Sequence, residues 1–223
     1  CLSDWSSDVC SSDLTYVANS GGDSVSVIDA VTDTVIDTIT VGDGPSALAI
    51  NPAGTRVYVA NSTGGTVSVI DTSTNTVIDT ITVGANPQGL AVTPGGTRVY
   101  VANTDTDNVS VISTATNTVI DTITVGDAPI GLAVTPGGTR VYVANSGSDN
   151  VSVISTASNT VTDTITVGDA PRAVAVTPGG TRVYVTNTGD GNVSVISTAT
   201  NTVTGTITVG DGPIGVDSGL IPE

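Results

Sequence analysis

Arg172, Gln88 and the aspartates Asp105, Asp107, Asp149 and Asp190 are the residues whose types and positions could do chemistry. Arg172 carries a planar guanidinium, whose fork of donors suits a carboxylate or a sugar hydroxyl. It follows a proline, at a position that Ser46, Gln88, Ile130 and Ile214 fill elsewhere in the chain. The aspartates sit in turn-like stretches, and an oxygen-rich turn can hold calcium, which takes six to eight oxygen ligands. None of these turns matches a calcium-loop motif, and Asp, Asn and Gly form turns well in their own right. No metal ligand and no cofactor are therefore assigned. A solvated arginine and solvated turns are the plain alternative to binding residues.

Several reaction classes lack their parts. The chain has no histidine, so no Ser-His-Asp or Cys-His set can be assembled. Phosphate-loop and dinucleotide fingerprints are absent. A glycosidase pair would need two carboxylates about 5–10 Å apart in a pocket, which is a matter of folding. The charge is one-sided: 21 acidic residues against 5 basic ones, a net −16 over 223 residues. That field repels nucleic acid and anionic membrane surfaces and suits cations or basic partners. No run approaches the roughly 18 apolar residues of a membrane span, and no stretch has the basic start and apolar centre of a signal peptide.

The elements that position these residues follow from a repeat. Val57-Tyr58-Val59-Ala60-Asn61 returns at 99–103 and 141–145, and at 183–187 with Thr186 for alanine; Thr15 to Asn19 is a partial copy. The step is 42 residues, in the range of one propeller blade with several short strands. The unit from Pro87 through Ala128 shows the pattern. A short apolar run, 88–92, precedes a Pro-Gly turn, and Arg98 to Asn103 alternates as a second strand. Val109 to Ile112 is a third strand and Val119 to Val125 a fourth. In that last strand strict alternation puts Asp121 on the side of Val119 and Ile123; Asp37, Asp79 and Asp163 repeat the conflict. A bulge or a rim position with an edge-protecting duty is expected there. The motif asparagines (Asn19, Asn61, Asn103, Asn145, Asn187) are expected to bond their own turns.

Residues 1–14 share no register with the rest and hold Cys1, Cys10 and Trp5. This segment resembles translated adapter read-through and is set aside as a non-native or disordered leader. A Cys1–Cys10 disulfide or a lipid-modified Cys1 is the alternative. Complete units are expected at 45–86, 87–128, 129–170 and 171–212. Residues 15–44 joined to 213–217 would make a fifth blade split between the termini, followed by a tail at 218–223. The expected fold is all-β, a propeller of four-stranded antiparallel blades, either closed at five or part of a larger ring of about seven.

Tyr184-Val185-Thr186-Asn187, Pro136-Gly137-Gly138 before a strand, Asn150 to Ile154 after it, and Ile165-Thr166-Val167-Gly168 resemble the YVTN family of β-propeller repeats. The resemblance covers residues 15 to about 217. It implies kinship with surface-layer and secreted proteins, and it carries no catalytic residues. The resulting expectation is a non-enzymatic, monomeric module for binding or scaffolding at the cell surface or in the extracellular space. Its ligand would be a protein or a carbohydrate, held on the face that bears the inter-blade links. The alternative is a lactonase or dehydrogenase-like propeller enzyme with its site at the channel mouth, an analogy of fold alone.

Overall fold

A computed structural model describes residues 13–219. The expectations for residues 1–12, both cysteines among them, and for residues 220–223 lie outside that range.

Runs of valine and isoleucine, branched at Cβ and broken by turn residues, make short strands throughout. The first sheet holds three: β1 (Leu14–Asn19), β2 (Ser24–Asp29) and β3 (Thr34–Thr40). Four four-stranded sheets follow. They are β4 (Pro45–Ile50), β5 (Arg56–Asn61), β6 (Thr66–Asp71) and β7 (Thr76–Thr82); then β8 (Pro87–Val92), β9 (Arg98–Asn103), β10 (Asn108–Ser113) and β11 (Thr118–Thr124). Next come β12 (Pro129–Val134), β13 (Arg140–Asn145), β14 (Asn150–Ser155) and β15 (Thr160–Thr166), and last β16 (Pro171–Val176), β17 (Arg182–Asn187), β18 (Asn192–Ser197) and β19 (Thr202–Thr208). Every sheet runs in chain order with antiparallel neighbours. Leu14, expected to fall outside the pattern, opens β1 opposite Asp29.

The core lies between sheets. Tyr58, Val67, Val69 and Ile81 of the second sheet pack on Leu90, Val99, Val101 and Ile112 of the third, and the other seams repeat this arrangement. Each buried valine or isoleucine contributes roughly 1.5–3 kcal/mol, and only a neighbouring sheet can bury it. The first strands β4, β8, β12 and β16 lie side by side on the inside of the array.

The expected bulge is present in every outer strand. Val111 pairs with Asp121 while Ile112 pairs with Val119, so Ile120 is the extra residue. This resolves the alternation conflict. Val119 packs toward the second sheet and Ile123 toward the fourth, because the bulge moves the strand's faces between them. The carboxylates of Asp37, Asp79, Asp121 and Asp163 accept the next residue's N–H at 2.7–2.9 Å, which occupies a donor on the outer strand.

The expected union of residues 213–217 with 15–44 does not form: that sheet has three strands. Residues 213–218 run beside β16 instead. Thr188 Oγ1 donates to Pro213 O (2.9 Å), as Thr104 does to Pro129 O at an interior link, and Ser218 Oγ donates to Val176 O (2.7 Å). Stacking each first strand on the previous one carries this segment onward around the array, away from β1.

Candidate functional site

Antiparallel alternation puts the turn between second and third strands at the same end as the link to the next sheet. Main-chain bonds join the two: Ser62 N–H reaches Gly44 O (2.8 Å) and Gly64 N–H reaches Asp43 O (3.1 Å). Carboxylates add to this clamp. Asp23, Asp107 and Asp149 each accept, through Oδ1, the N–H of a link residue: Gly44 (2.8 Å), Ala128 (2.9 Å) and Ala170 (3.0 Å). All three aspartates have left-handed backbones (φ 48°, 52° and 52°), which Asp tolerates better than most residues. Asp190 Oδ2 accepts the N–H of Asp169 (2.9 Å). Three of the candidate aspartates, Asp107, Asp149 and Asp190, thus each spend one oxygen fixing a link. Among the described residues no three acidic side chains converge as a metal-binding group.

Gln88 and Asp105 are brought together, and Asn86 is what joins them. Gln88 Nε2 donates to Asn86 Oδ1 (2.6 Å), and Asn86 Nδ2 donates to Asp105 Oδ1 (3.0 Å). This chain of polar groups borders a shallow cavity of about 370 Å³ lined by Ser62, Thr63, Gly64, Gly65, Ala85, Asn86 and Asp105. The cavity interrupts an acidic face. Asp23, Asp43, Asp105, Asp107, Asp127, Asp149, Asp169, Asp190 and Asp211 stand at this end, against Arg172 as its lone cation among the described residues. Here the link Gly84-Ala85-Asn86 and the turn Ser62-Thr63-Gly64-Gly65 both lack a carboxylate. The site offers hydroxyl, amide and main-chain groups with one anion at its edge.

Arg172 lies apart from this cluster, exposed near the start of β16. Its main chain sits at the close approach to β12, where a Cβ on Gly131 would collide with the Arg172 carbonyl. Backbone packing fixes its place while the residue remains open to solvent.

Asn86, Ser62 and Thr63 were not picked out by the sequence reading. The available signal was that link 84–86 alone lacks the aspartate of the other links. The motif asparagines also differ from expectation. Asn103 Nδ2 donates across to side chains of β10, to Asn108 Oδ1 (2.8 Å) and Ser110 Oγ (2.9 Å), and its counterparts do the same in the other sheets. Asn61, Asn103, Asn145 and Asn187 are fully buried, so they pin the hairpin rather than face a ligand.

Over 74% of the chain the structure superimposes on Kuenenia stuttgartiensis Hydrazine Synthase with a TM-score of 0.71, at 31% identity and covering 49% of that chain. Residues 127–220 match the family described as Lactonase, 7-bladed beta-propeller. The fold is a β-propeller. A stretch of 37 residues is 57% identical to the PE-PGRS family protein PE_PGRS18 of Mycobacterium tuberculosis, covering 17% of this chain and 8% of that protein. The propeller thus spans about half of the solved chain it resembles and a small part of the mycobacterial one.

Proposed function

We propose that this propeller is a non-enzymatic recognition or scaffolding module of the YVTN type, working at the cell surface or in the extracellular space. Its partner surface is the end bearing the inter-blade links. The carrying observation is the charge of that end, a row of aspartates with Arg172 as its lone cation among the described residues. Such a field favours a basic protein segment and speeds its approach at low salt.

The test uses an arginine-rich peptide as probe against the full chain. Replacing Asp43, Asp127 and Asp169 together by asparagine should weaken binding at least about tenfold and flatten its salt dependence, because link charges are removed. Replacing Asp29 and Asp71, at the opposite end, should leave binding within about twofold. Equal losses from both sets would mean unspecific attraction and would sink the proposal.

A second reading has one specific observation behind it. The lactonase-family match spans residues 127–220 and so includes Arg172. Turnover of a lactone, lost on Arg172→Ala with folding intact, would favour the enzyme.

A further inference from the structure

The outer strands β3, β7, β11, β15 and β19 each leave one edge unpaired, since every sheet ends on one of them. An unpaired edge is a template for another strand. Four of these strands carry an aspartate at their centre: Asp37, Asp79, Asp121 and Asp163. β19 does not. It reads Thr-Val-Thr-Gly-Thr-Ile-Thr over 202–208, where β15 reads Thr-Val-Thr-Asp-Thr-Ile-Thr over 160–166. Both strands have the same bulge, and in both the bulge threonine bonds inward: Thr162 Oγ1 to Val153 O (3.1 Å) and Thr204 Oγ1 to Val195 O (3.2 Å). The centre residue alone separates them. In β15 the Asp163 carboxylate takes the N–H of Thr164 (2.9 Å), whereas in β19 Gly205 offers Thr206 no side-chain acceptor.

We propose that the free edge of β19 is an interaction surface for a second copy of this chain, joined by antiparallel pairing of β19 with β19 about a two-fold axis at Gly205. The strand itself supplies the argument for that occupant. It has the same residue classes read from either end, so two-fold pairing sets Thr202 against Thr208, Val203 against Ile207 and Thr204 against Thr206. Threonine pairs and β-branched apolar pairs are favourable across strands, and a two-fold interface requires a surface that complements itself. Gly205 then stands opposite its own copy. Each of the other outer strands would at that point set an aspartate directly against its own copy, which opposes pairing. β19 also carries no charge along its length, which matters between chains of net −16.

The experiment is sedimentation equilibrium of the full chain under reducing conditions, which keep Cys1 and Cys10 from linking chains. One strand pair buries less than a standard interface, so a dimer with a Kd of roughly 0.1 mM is expected, tightening as salt screens the net charge. Gly205→Asp should weaken it at least about tenfold. A Cβ at Gly205 meets nothing within 4 Å, so this variant should keep the thermal midpoint of the parent. Gly205→Ala adds no charge and should leave the Kd within about threefold. Asp163→Gly should give β15 the same edge and carry association beyond the dimer. A chain still monomeric at about 1 mM would overturn the proposal. So would a dimer that Gly205→Asp leaves intact or that Gly205→Ala weakens as much, or an Asp163→Gly chain that stops at the dimer.

Discussion

Tyr142 Oη lies 2.9 Å from Asn201 Oδ1, although the two residues are 59 apart in sequence and belong to neighbouring blades. Apolar contact between sheets is non-directional and permits sliding. A phenol aimed at one amide oxygen does not, so at the three seams where it forms this bond fixes how far one blade is displaced against the next. Tyr100 and Tyr16 repeat it with Asn159 and Asn75, both at 3.1 Å. In the remaining interior seam Tyr58 Oη is buried without a partner, and Arg56 reaches Asn117 Oδ1 at 3.4 Å.

The contrast between these seams predicts opposite outcomes for one substitution. Tyr142→Phe should lose a satisfied bond and destabilise by about 1 kcal/mol. Tyr58→Phe removes a buried hydroxyl that has no partner, and should be neutral or stabilising. Urea unfolding of the two variants checks this. Equal losses at both positions would show that the Tyr–Asn bond does not define the seam.

A second prediction concerns the inner strands. A Cβ at Gly89 would overlap the Ile130 carbonyl, which is backbone and cannot swing away. Gly89→Ala should therefore force β8 and β12 apart and cost about 1–3 kcal/mol. Gly137 has nothing within 4 Å of its would-be Cβ, so Gly137→Ala should be close to neutral by the same unfolding measurement.

Links carry stored backbone strain that can be released. Ala128 and Ala170 have φ of 49° and 51°, a region where Cβ crowds the chain; Gly44 and Gly212 fill the equivalent places without that penalty. Ala128→Gly and Ala170→Gly should each stabilise by about 0.5–1 kcal/mol after the entropy that glycine adds to the unfolded chain. A lowered urea midpoint for either variant would contradict this.

Much of this architecture was legible in the sequence because the repeat states it several times. The 42-residue step locates each strand, and Asp121 marks the bulge by breaking the alternation. The meander also places the links and the turns of Asp105 and Asp149 at one end. What escaped were relations between units. The Tyr142–Asn201 bond spans a repeat and a fraction, so no single unit displays it. Asn86 carries no signal beyond a turn-forming residue type, and only the fold sets it between Gln88 and Asp105. The motif asparagine was read locally, yet its partner Ser110 stands 7 residues away on the adjoining strand. The course of residues 213–218 depends on stacking against β16, which complementary strand counts do not reveal.

Two titrations bound the pH range of the first seam. Burial, with the nearby charges of Asp37 and Asp71, raises the Tyr16 phenol above its ordinary value of 10.0. The folded state therefore holds this proton more tightly than the unfolded chain does. The stability it contributes is complete below about pH 10 and falls as pH rises toward the folded value. Asp71 is shifted the other way: hydrogen bonds from the Ser73 side chain and main chain, a further one from Thr74 and the charge of Arg56 lower its carboxyl below 3.8. Its contribution is present above about pH 4 and is lost as pH falls through the folded value. Thermal midpoints should hence decline at both extremes. Tyr16→Phe should soften only the alkaline decline, and Asp71→Asn only the acid one. An alkaline decline unchanged in Tyr16→Phe would mean that the Tyr16 phenol keeps its ordinary affinity for the proton in the folded propeller.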